Sequence, residues 1–233
     1  MAISVQDAVS ALKSKAIPGK DRGMSAYHKV DREYLGVANP DIDDLTRAWR
    51  RDLDLEGRLA LAQGLWDTNS HEGRVAAAKL LTQARIKPDD QAAWEMIKSW
   101  VPDFDAWAIA DHVSIAGQKR LTANPDRVAE LADWTKSDHM WTKRAALVMT
   151  LPWAKIRDPK PADAEIRERI LGWAAGYVPD QTWFIQKAIA WWLRDLSKKD
   201  PARVRAFLDE HGEDMKPFAR KEAGRLLPSV EGG

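Results

Sequence analysis

A tryptophan and an aspartate stand four residues apart in the segment DAWAIAD, at positions 105–111. On a helix this spacing places Trp107 and Asp111 next to each other on one face. An indole offers a negative π face and a carboxylate offers a full charge, so the pair is suited to stabilising a cation. A core tryptophan beside a surface or capping aspartate is the alternative, and the spacing alone does not decide between them.

Two cations, Lys143 and Arg144, interrupt the otherwise apolar segment MWTKRAA at positions 140–146. An arginine on such a helix can grip a phosphate through two parallel N–H bonds. A structural ion pair with a neighbouring helix is the alternative.

The segment WFIQKAIAWWLR, at positions 183–194, contains two adjacent tryptophans. On a helix Trp191 and Trp192 point about 100° apart, so both are not expected in the same packing layer. We expect one to be core and the other to be available to a ligand, although both could be partly buried. Lys187 and Arg194 lie close to the Trp191 side, whereas the apolar stripe consists of Ile185, Ile189, Trp192 and Leu196.

The sequence lacks the residues that several other enzyme chemistries require. The chain has no cysteine, which excludes a disulfide framework and cysteine catalysis. It also has no glycine-rich phosphate loop and no H-E-x-x-H motif. The five histidines are scattered, and we interpret His112 and His139 as structural or surface residues. No metal site is expected.

The charge balance is nearly neutral, with 36 Lys and Arg against 35 Asp and Glu. A DNA-binding surface would therefore have to concentrate positive charge on one face. The chain has 12 tryptophans, most of which we expect to fill space between helices. No apolar run is long enough to span a membrane and the first residues show no signal-peptide core, so we expect a cytoplasmic protein.

The apolar residues recur three and four apart throughout, which predicts an all-α protein. Asn, Asp, Ser and Pro mark helix starts near residues 39, 88, 124, 137 and 179. These signals indicate about twelve helices of about 10 to 16 residues with short turns. Their spacing favours about six helical hairpins stacked as a solenoid with a concave face, in a single domain over residues 1–233, near the HEAT-repeat period of about 40 residues. A compact helical bundle is the alternative.

Taken together and in order, these segments resemble the AlkD family of DNA alkylation repair enzymes over about residues 25–227. The string from Phe184 to Arg194 is the most specific of the matching segments. The other anchors are Tyr34-Leu-Gly-Val37, Leu65-Trp66 with Glu72-x-Arg74, Trp107-x-x-x-Asp111, Lys143-Arg-Ala-Ala146 and Arg220-Lys-Glu-Ala223.

The resemblance implies a HEAT-like solenoid whose concave face holds duplex DNA. The family hydrolyses the N-glycosidic bond of N3- and N7-alkylated purines without needing to flip the base into a pocket. Carried over to this chain, the family pattern implies that Asp111, Trp107 and Trp191 form the catalytic cleft. Arg144 would grip the DNA backbone beside them, and Lys143, Lys187 and Arg194 would add phosphate contacts. The resemblance implies no metal or organic cofactor, and we expect a monomer.

Two other functions are compatible with the same residues. The chain could be a non-catalytic HEAT-repeat protein that binds damaged DNA, which would keep the phosphate contacts without the chemistry. It could also be a helical-repeat scaffold for a protein partner, which the near-zero net charge slightly favours.

Overall fold

The structure, a computed structural model, describes residues 3–228 of the 233-residue chain. Within this range it contains thirteen α-helices, three short 3₁₀ segments and no β-strand, which confirms the all-α prediction. None of these helices is both long and apolar enough to cross a membrane. The chain divides into two compact units, Met1–Ala123 and Asn124–Gly233. The single repeat domain stays a prediction.

The first unit is organised around its fifth helix. Helix α5 packs against α3, α4 and α7, so it forms the centre of this unit. The elements are α1 (Val5–Lys13), α2 (Lys20–His28), α3 (Asn39–Asp52), α4 (Leu55–Asp67), α5 (His71–Leu80), α6 (Gln91–Trp100), a 3₁₀ segment (Val101–Asp103) and α7 (Trp107–Ala123).

The second unit is organised around α11, which packs against α8, α12 and α13. It opens with two 3₁₀ segments (Pro125–Ala132 and Trp134–Lys136). Its helices are α8 (Met140–Met149), α9 (Leu151–Ala154), α10 (Pro161–Tyr177), α11 (Trp183–Ser197), α12 (Pro201–His211) and α13 (Pro217–Gly224). Helix α9 has 4 residues and α10 has 17, so the helix lengths vary more than the sequence signals indicated.

Polar caps and prolines explain where the helices begin. Ser70 accepts a hydrogen bond from the Gly73 backbone N–H at the start of α5, which satisfies a donor that the helix leaves unpaired. Four of the five predicted starts are followed by α-helices, namely α3, α6, α8 and α11. The fifth, at Asn124 and Pro125, opens a 3₁₀ segment instead of an α-helix.

Tryptophans supply much of the core of each unit. Seven of the twelve are buried, which confirms the expected packing role: Trp49, Trp66, Trp94, Trp100, Trp141, Trp153 and Trp192. In the first unit Trp66 and Trp100 stack with ring centroids 4.5 Å apart. In the second unit Trp192 is fully buried whereas Trp191 is half-buried, so the two adjacent tryptophans divide as predicted.

Candidate functional site

Trp107 and Asp111 occupy the first two turns of α7, in the first unit. The helix spans both positions, so their four-residue spacing places them on one face, as the sequence predicts. Both side chains are half-buried and therefore partly open to solvent. A carboxylate and an indole that share a helix face and are partly open to solvent can stabilise a developing positive charge.

Two residues of α2 surround the Trp107 indole. Tyr27 meets the indole edge-on, with ring centroids 5.9 Å apart and planes at 89°. His28 lies on the same indole with centroids 5.3 Å apart. Tyr27 is 68% exposed, so this aromatic group faces solvent beside Trp107. The α2 contacts add two rings to the site that the sequence analysis did not single out.

A buried carboxylate fixes the backbone that follows α2. Glu72, which is fully buried on α5, accepts hydrogen bonds from the N–H groups of Leu35 (2.8 Å), Gly36 (2.8 Å) and Val37 (3.0 Å). Gly36 has φ of +78°, and a Cβ there would lie 3.0 Å from the Asp21 backbone nitrogen. Glycine is therefore required at this turn, because it alone adopts this conformation without strain.

An ion pair ties the same segment to the start of α7. Arg32 donates to the Asp105 carboxylate, two residues before Trp107. Arg32 is almost fully buried, whereas the Asp105 side chain is 43% exposed. The segment between α2 and α3 is thus held at Glu72 on one side and at Asp105 on the other.

Three of the predicted site residues meet in a pocket of the second unit. Lys187, Trp191 and Arg194, all on α11, line a cavity of about 330 Å³. Its other walls are Trp183 and Ala190 of α11 and Phe218 and Glu222 of α13. The pocket therefore combines three aromatic faces with two cations and one carboxylate, which suits a flat ligand that carries negative charge.

The two cations of this pocket, Lys187 and Arg194, differ in whether they are paired with a carboxylate. Arg194 forms an ion pair with Glu222 and lies 3.8 Å from Asp195. Lys187 is exposed, forms no ion pair within residues 3–228, and places its ammonium 4.6 Å from the Trp183 ring centroid. Lys187 is therefore the more available of the two for a phosphate.

Lys143 and Arg144 on α8 are held by protein groups. The Lys143 ammonium donates to Asp180 at 2.6 Å and lies 5.1 Å from the Tyr177 ring centroid. Partial burial opposes the ionisation of Asp180, but hydrogen bonds from Lys143 and Thr182 outweigh it and lower the Asp180 pKa. Arg144 is only 3% exposed and lies over the Trp141 ring. Their phosphate-binding roles stay predictions.

The described residues offer no set of metal ligands. No group of three or more His, Cys, Asp or Glu side chains within residues 3–228 is placed to hold a metal ion. His28 and His71 approach each other as stacked rings, 4.6 Å between centroids. In such a stack the nitrogen lone pairs lie in separate ring planes and do not converge on one point.

The sequence as a whole matches a known family. A family model described as "DNA alkylation repair enzyme" matches residues 8–227, which is nearly the entire chain. The chain belongs to this family. The predicted resemblance is thereby confirmed.

Three solved structures have the same helical fold as this DNA alkylation repair family member. The first, titled as a predicted DNA alkylation repair enzyme from Enterococcus faecalis, has a TM-score of 0.78 at 20% identity and covers 93% of this chain and 98% of its own. Smu.31 and AlkD2, both from Streptococcus mutans, each have a TM-score of 0.65 at 17% and 16% identity. Each covers 97% of this chain and 100% of its own. No curated relative matches the sequence.

In this family member the most exposed tryptophan, Trp183, is not among the residues that the sequence predicts for the site. Trp183 is 45% exposed and stacks on Phe218 with ring centroids 5.8 Å apart. The spacing to Lys187 was a usable signal, because residues four apart share a helix face. Tyr27 and Phe218 carried no such signal, because each reaches its site through contacts between helices that are distant in sequence.

Proposed function

We propose that this protein is a DNA glycosylase that hydrolyses the N-glycosidic bond of N3- or N7-alkylated purines in duplex DNA. The observation that carries the proposal is the half-buried Trp107 and Asp111 pair on one face of α7, in a chain that matches the alkylation repair family over residues 8–227. The proposed enzyme acts as a monomer and needs no metal or organic cofactor.

The chemistry suits a carboxylate and an indole. Alkylation at N3 or N7 gives the purine a positive charge, so the base is already a good leaving group and needs no strong general acid. When the C1′–N bond breaks, its electron pair goes to the purine and positive charge develops on the sugar. Asp111 stabilises that charge and orients a water molecule, while the Trp107 π face adds to the stabilisation. The water oxygen bonds to C1′ and releases its proton to Asp111 or to solvent.

In the proposed reaction, aromatic and cationic residues of the second unit also contact the DNA. Trp191 is proposed to contact the sugar and backbone of the damaged nucleotide, and Lys187 to bind phosphate. Trp183 is added to these residues because of its exposure and its contact with Lys187. Lys143, Arg144 and Arg194 are proposed to contribute to DNA binding to the extent that their protein partners leave them accessible.

The deciding experiment measures base release from duplex DNA that carries 7-methylguanine or 3-methyladenine. We expect Asp111→Asn to slow single-turnover release by about 100-fold, because the neutral amide no longer stabilises the sugar cation. Asp209→Asn, which removes an exposed carboxylate on α12, is the matched control and should release base at the wild-type rate. No release by the wild-type protein, or an unchanged rate in Asp111→Asn, would refute the assignment.

A second candidate function is binding of damaged DNA or of a protein partner without catalysis, and the state of the cations favours the protein partner. Of the four predicted phosphate-binding residues, Lys143 and Arg194 pair with carboxylates and Arg144 is buried. A DNA-binding protein of this kind would hold duplex DNA with a steep salt dependence but release no base. Absent or salt-independent duplex binding would favour the protein partner.

A further inference from the structure

Three rings, those of His28, His71 and Tyr34, stack on one another next to the Trp107 indole. His28 stacks on His71 with centroids 4.6 Å apart, and Tyr34 is parallel to His28 at 5.9 Å. Tyr34 also stacks on His71 at 5.1 Å, so the three rings support one another. His28 is the member that reaches Trp107, at 5.3 Å and with the ring planes at 44°.

Hydrogen bonds of His71 and Tyr34 hold the stack in place, and Trp107 is not needed for this. His71 is 7% exposed and is the first residue of α5, where its backbone N–H donates to the Glu33 carbonyl at 2.9 Å. The Tyr34 hydroxyl donates to the Val30 carbonyl at 3.2 Å. Lys29, which follows His28, has φ of +57° and turns the chain away immediately after the imidazole. His28 therefore lies between the end of α2 and the hydrogen-bonded residues His71 and Tyr34.

Both imidazoles are suited to the neutral state. Burial lowers the pKa of His28, and Glu72, which raises it, and Arg32, which lowers it, are weaker influences. Burial lowers the pKa of His71 to about 3, with smaller contributions from His28, Arg32 and His112. The His28 Nδ1 atom is buried and has no hydrogen-bond partner in the described part of the chain. A proton there would have no acceptor, so the charged form is disfavoured.

The charged groups around the stack come from three directions. Glu72 lies on α5, next to His71. Arg32 comes from the segment that follows α2 and is paired with Asp105, which precedes α7. Because Arg32 is nearly fully buried and already paired, a second positive charge on His28 would be repelled without a new partner.

We propose that His28, supported by His71 and Tyr34, is a positioning residue that fixes the angle of the Trp107 indole, and that it does so only as a neutral ring. The inference rests on the proposed function, in which Trp107 stabilises the sugar cation. A tryptophan held by a rigid stack is already oriented before DNA binds, whereas a protonated His28 would loosen the stack and release the indole.

The first test is independent of catalysis. The Trp107 indole N–H resonance is assigned in ¹H–¹⁵N spectra by its loss in Trp107→Phe. We expect this resonance to move in His28→Ala and to stay near its wild-type position in His28→Phe, which keeps a flat ring in the stack. His211→Ala is the control, because His211 packs on Phe207 in the second unit. An unmoved Trp107 resonance in His28→Ala would overturn the proposal.

The second test follows base release at different pH values, with the spontaneous loss of base subtracted. At neutral pH we expect His28→Ala to slow single-turnover release by about tenfold, and His28→Phe to restore most of the rate. Because burial lowers the pKa of His28, the wild-type rate should fall only at a pH below the ordinary histidine value, where His28 gains its proton. His28→Phe should shift this fall to lower pH. A rate in His28→Phe as low as in His28→Ala would overturn the proposal.

The two tests separate the two proposals. If the wild-type protein releases no base, the proposed function fails, and the indole resonance alone decides whether His28 positions Trp107. If the protein releases base but the resonance does not respond to His28→Ala, the function stands and the positioning role fails.

Discussion

The ammonium group of Lys187 lies 4.6 Å from the ring centroid of Trp183, one helical turn away on α11. The indole face holds the cation in the wall of the pocket between α11 and α13 without neutralising it, since an aromatic ring carries no net charge. Arg194, in the same pocket, is instead paired with Glu222. The two cations of one pocket therefore differ in whether they are available to an incoming phosphate.

We predict that Lys187→Gln weakens binding to duplex DNA regardless of sequence. Each phosphate contact releases counterions, so the plot of log affinity against log salt should become shallower by about 1. Fluorescence anisotropy at several salt concentrations measures this slope. Lys160→Gln, which removes an exposed cation at the start of α10, should leave the slope unchanged. An identical slope for Lys187→Gln and wild type would exclude a phosphate contact at Lys187.

Local patterns in the sequence were sufficient to predict most of the helices and the shared helix face of Trp107 and Asp111. Periodic apolar residues and polar caps act within a few residues, and the i, i+4 rule needs only a helix to hold. The difference in burial between Trp191 and Trp192 also follows from the angle of about 100° between adjacent residues on a helix. For this reason the apolar stripe of α11, which includes Trp192, could be predicted from the sequence.

Contacts between distant segments could not be read in this way. The stack of His28 on His71 joins residues that are 43 positions apart, and no periodicity links them. The burial of Arg144 and the pairing of Lys143 with Asp180 also depend on how helices pack. The sequence left open whether these cations were phosphate ligands or structural ion pairs, and only the structure shows what surrounds them.

Arg144 is expected to contribute to stability. Arg144 is 3% exposed and its guanidinium lies over the Trp141 ring, so its replacement removes buried packing and a cation–π contact. We predict that Arg144→Met lowers the free energy of unfolding by about 2 kcal/mol in urea titrations. Arg169→Met, an exposed arginine on α10, should change it little. The salt slope of DNA binding is the second readout. A slope shallower by about 1 in Arg144→Met would support a phosphate contact at Arg144, whereas an unchanged slope would exclude it.

Glu72 is expected to be essential to the segment that carries Tyr34. Its carboxylate is fully buried and accepts three backbone N–H bonds from residues 35–37. Glutamine has one oxygen and brings an NH₂ donor to a site made of donors. We predict that Glu72→Gln costs about 2 kcal/mol of unfolding free energy, since hydrogen bonds to a charged group are stronger than neutral ones. Glu56→Gln, on the exposed first turn of α4, is the control, and equal stabilities of the two variants would contradict the prediction.

The buried histidines make the stability of the protein sensitive to acid. Burial lowers the pKa of His71 to about 3 in the folded state, whereas the ordinary value of 6.5 applies once the chain unfolds. Below pH 6.5 the unfolded chain binds a proton that the folded protein does not, so stability falls as the pH falls and levels off near pH 3. Above pH 6.5 both states are neutral and His71 has no effect.

We predict that His71 alone lowers the free energy of unfolding by about 2 kcal/mol between pH 6.5 and pH 5. His112, whose pKa burial lowers to about 4, acts in the same direction. Urea titrations at several pH values measure the total change. His71→Phe keeps a ring in the stack but cannot bind a proton, so its stability should depend less steeply on pH than that of the wild type. Equal slopes in the two proteins would show that His71 is not held neutral by the fold.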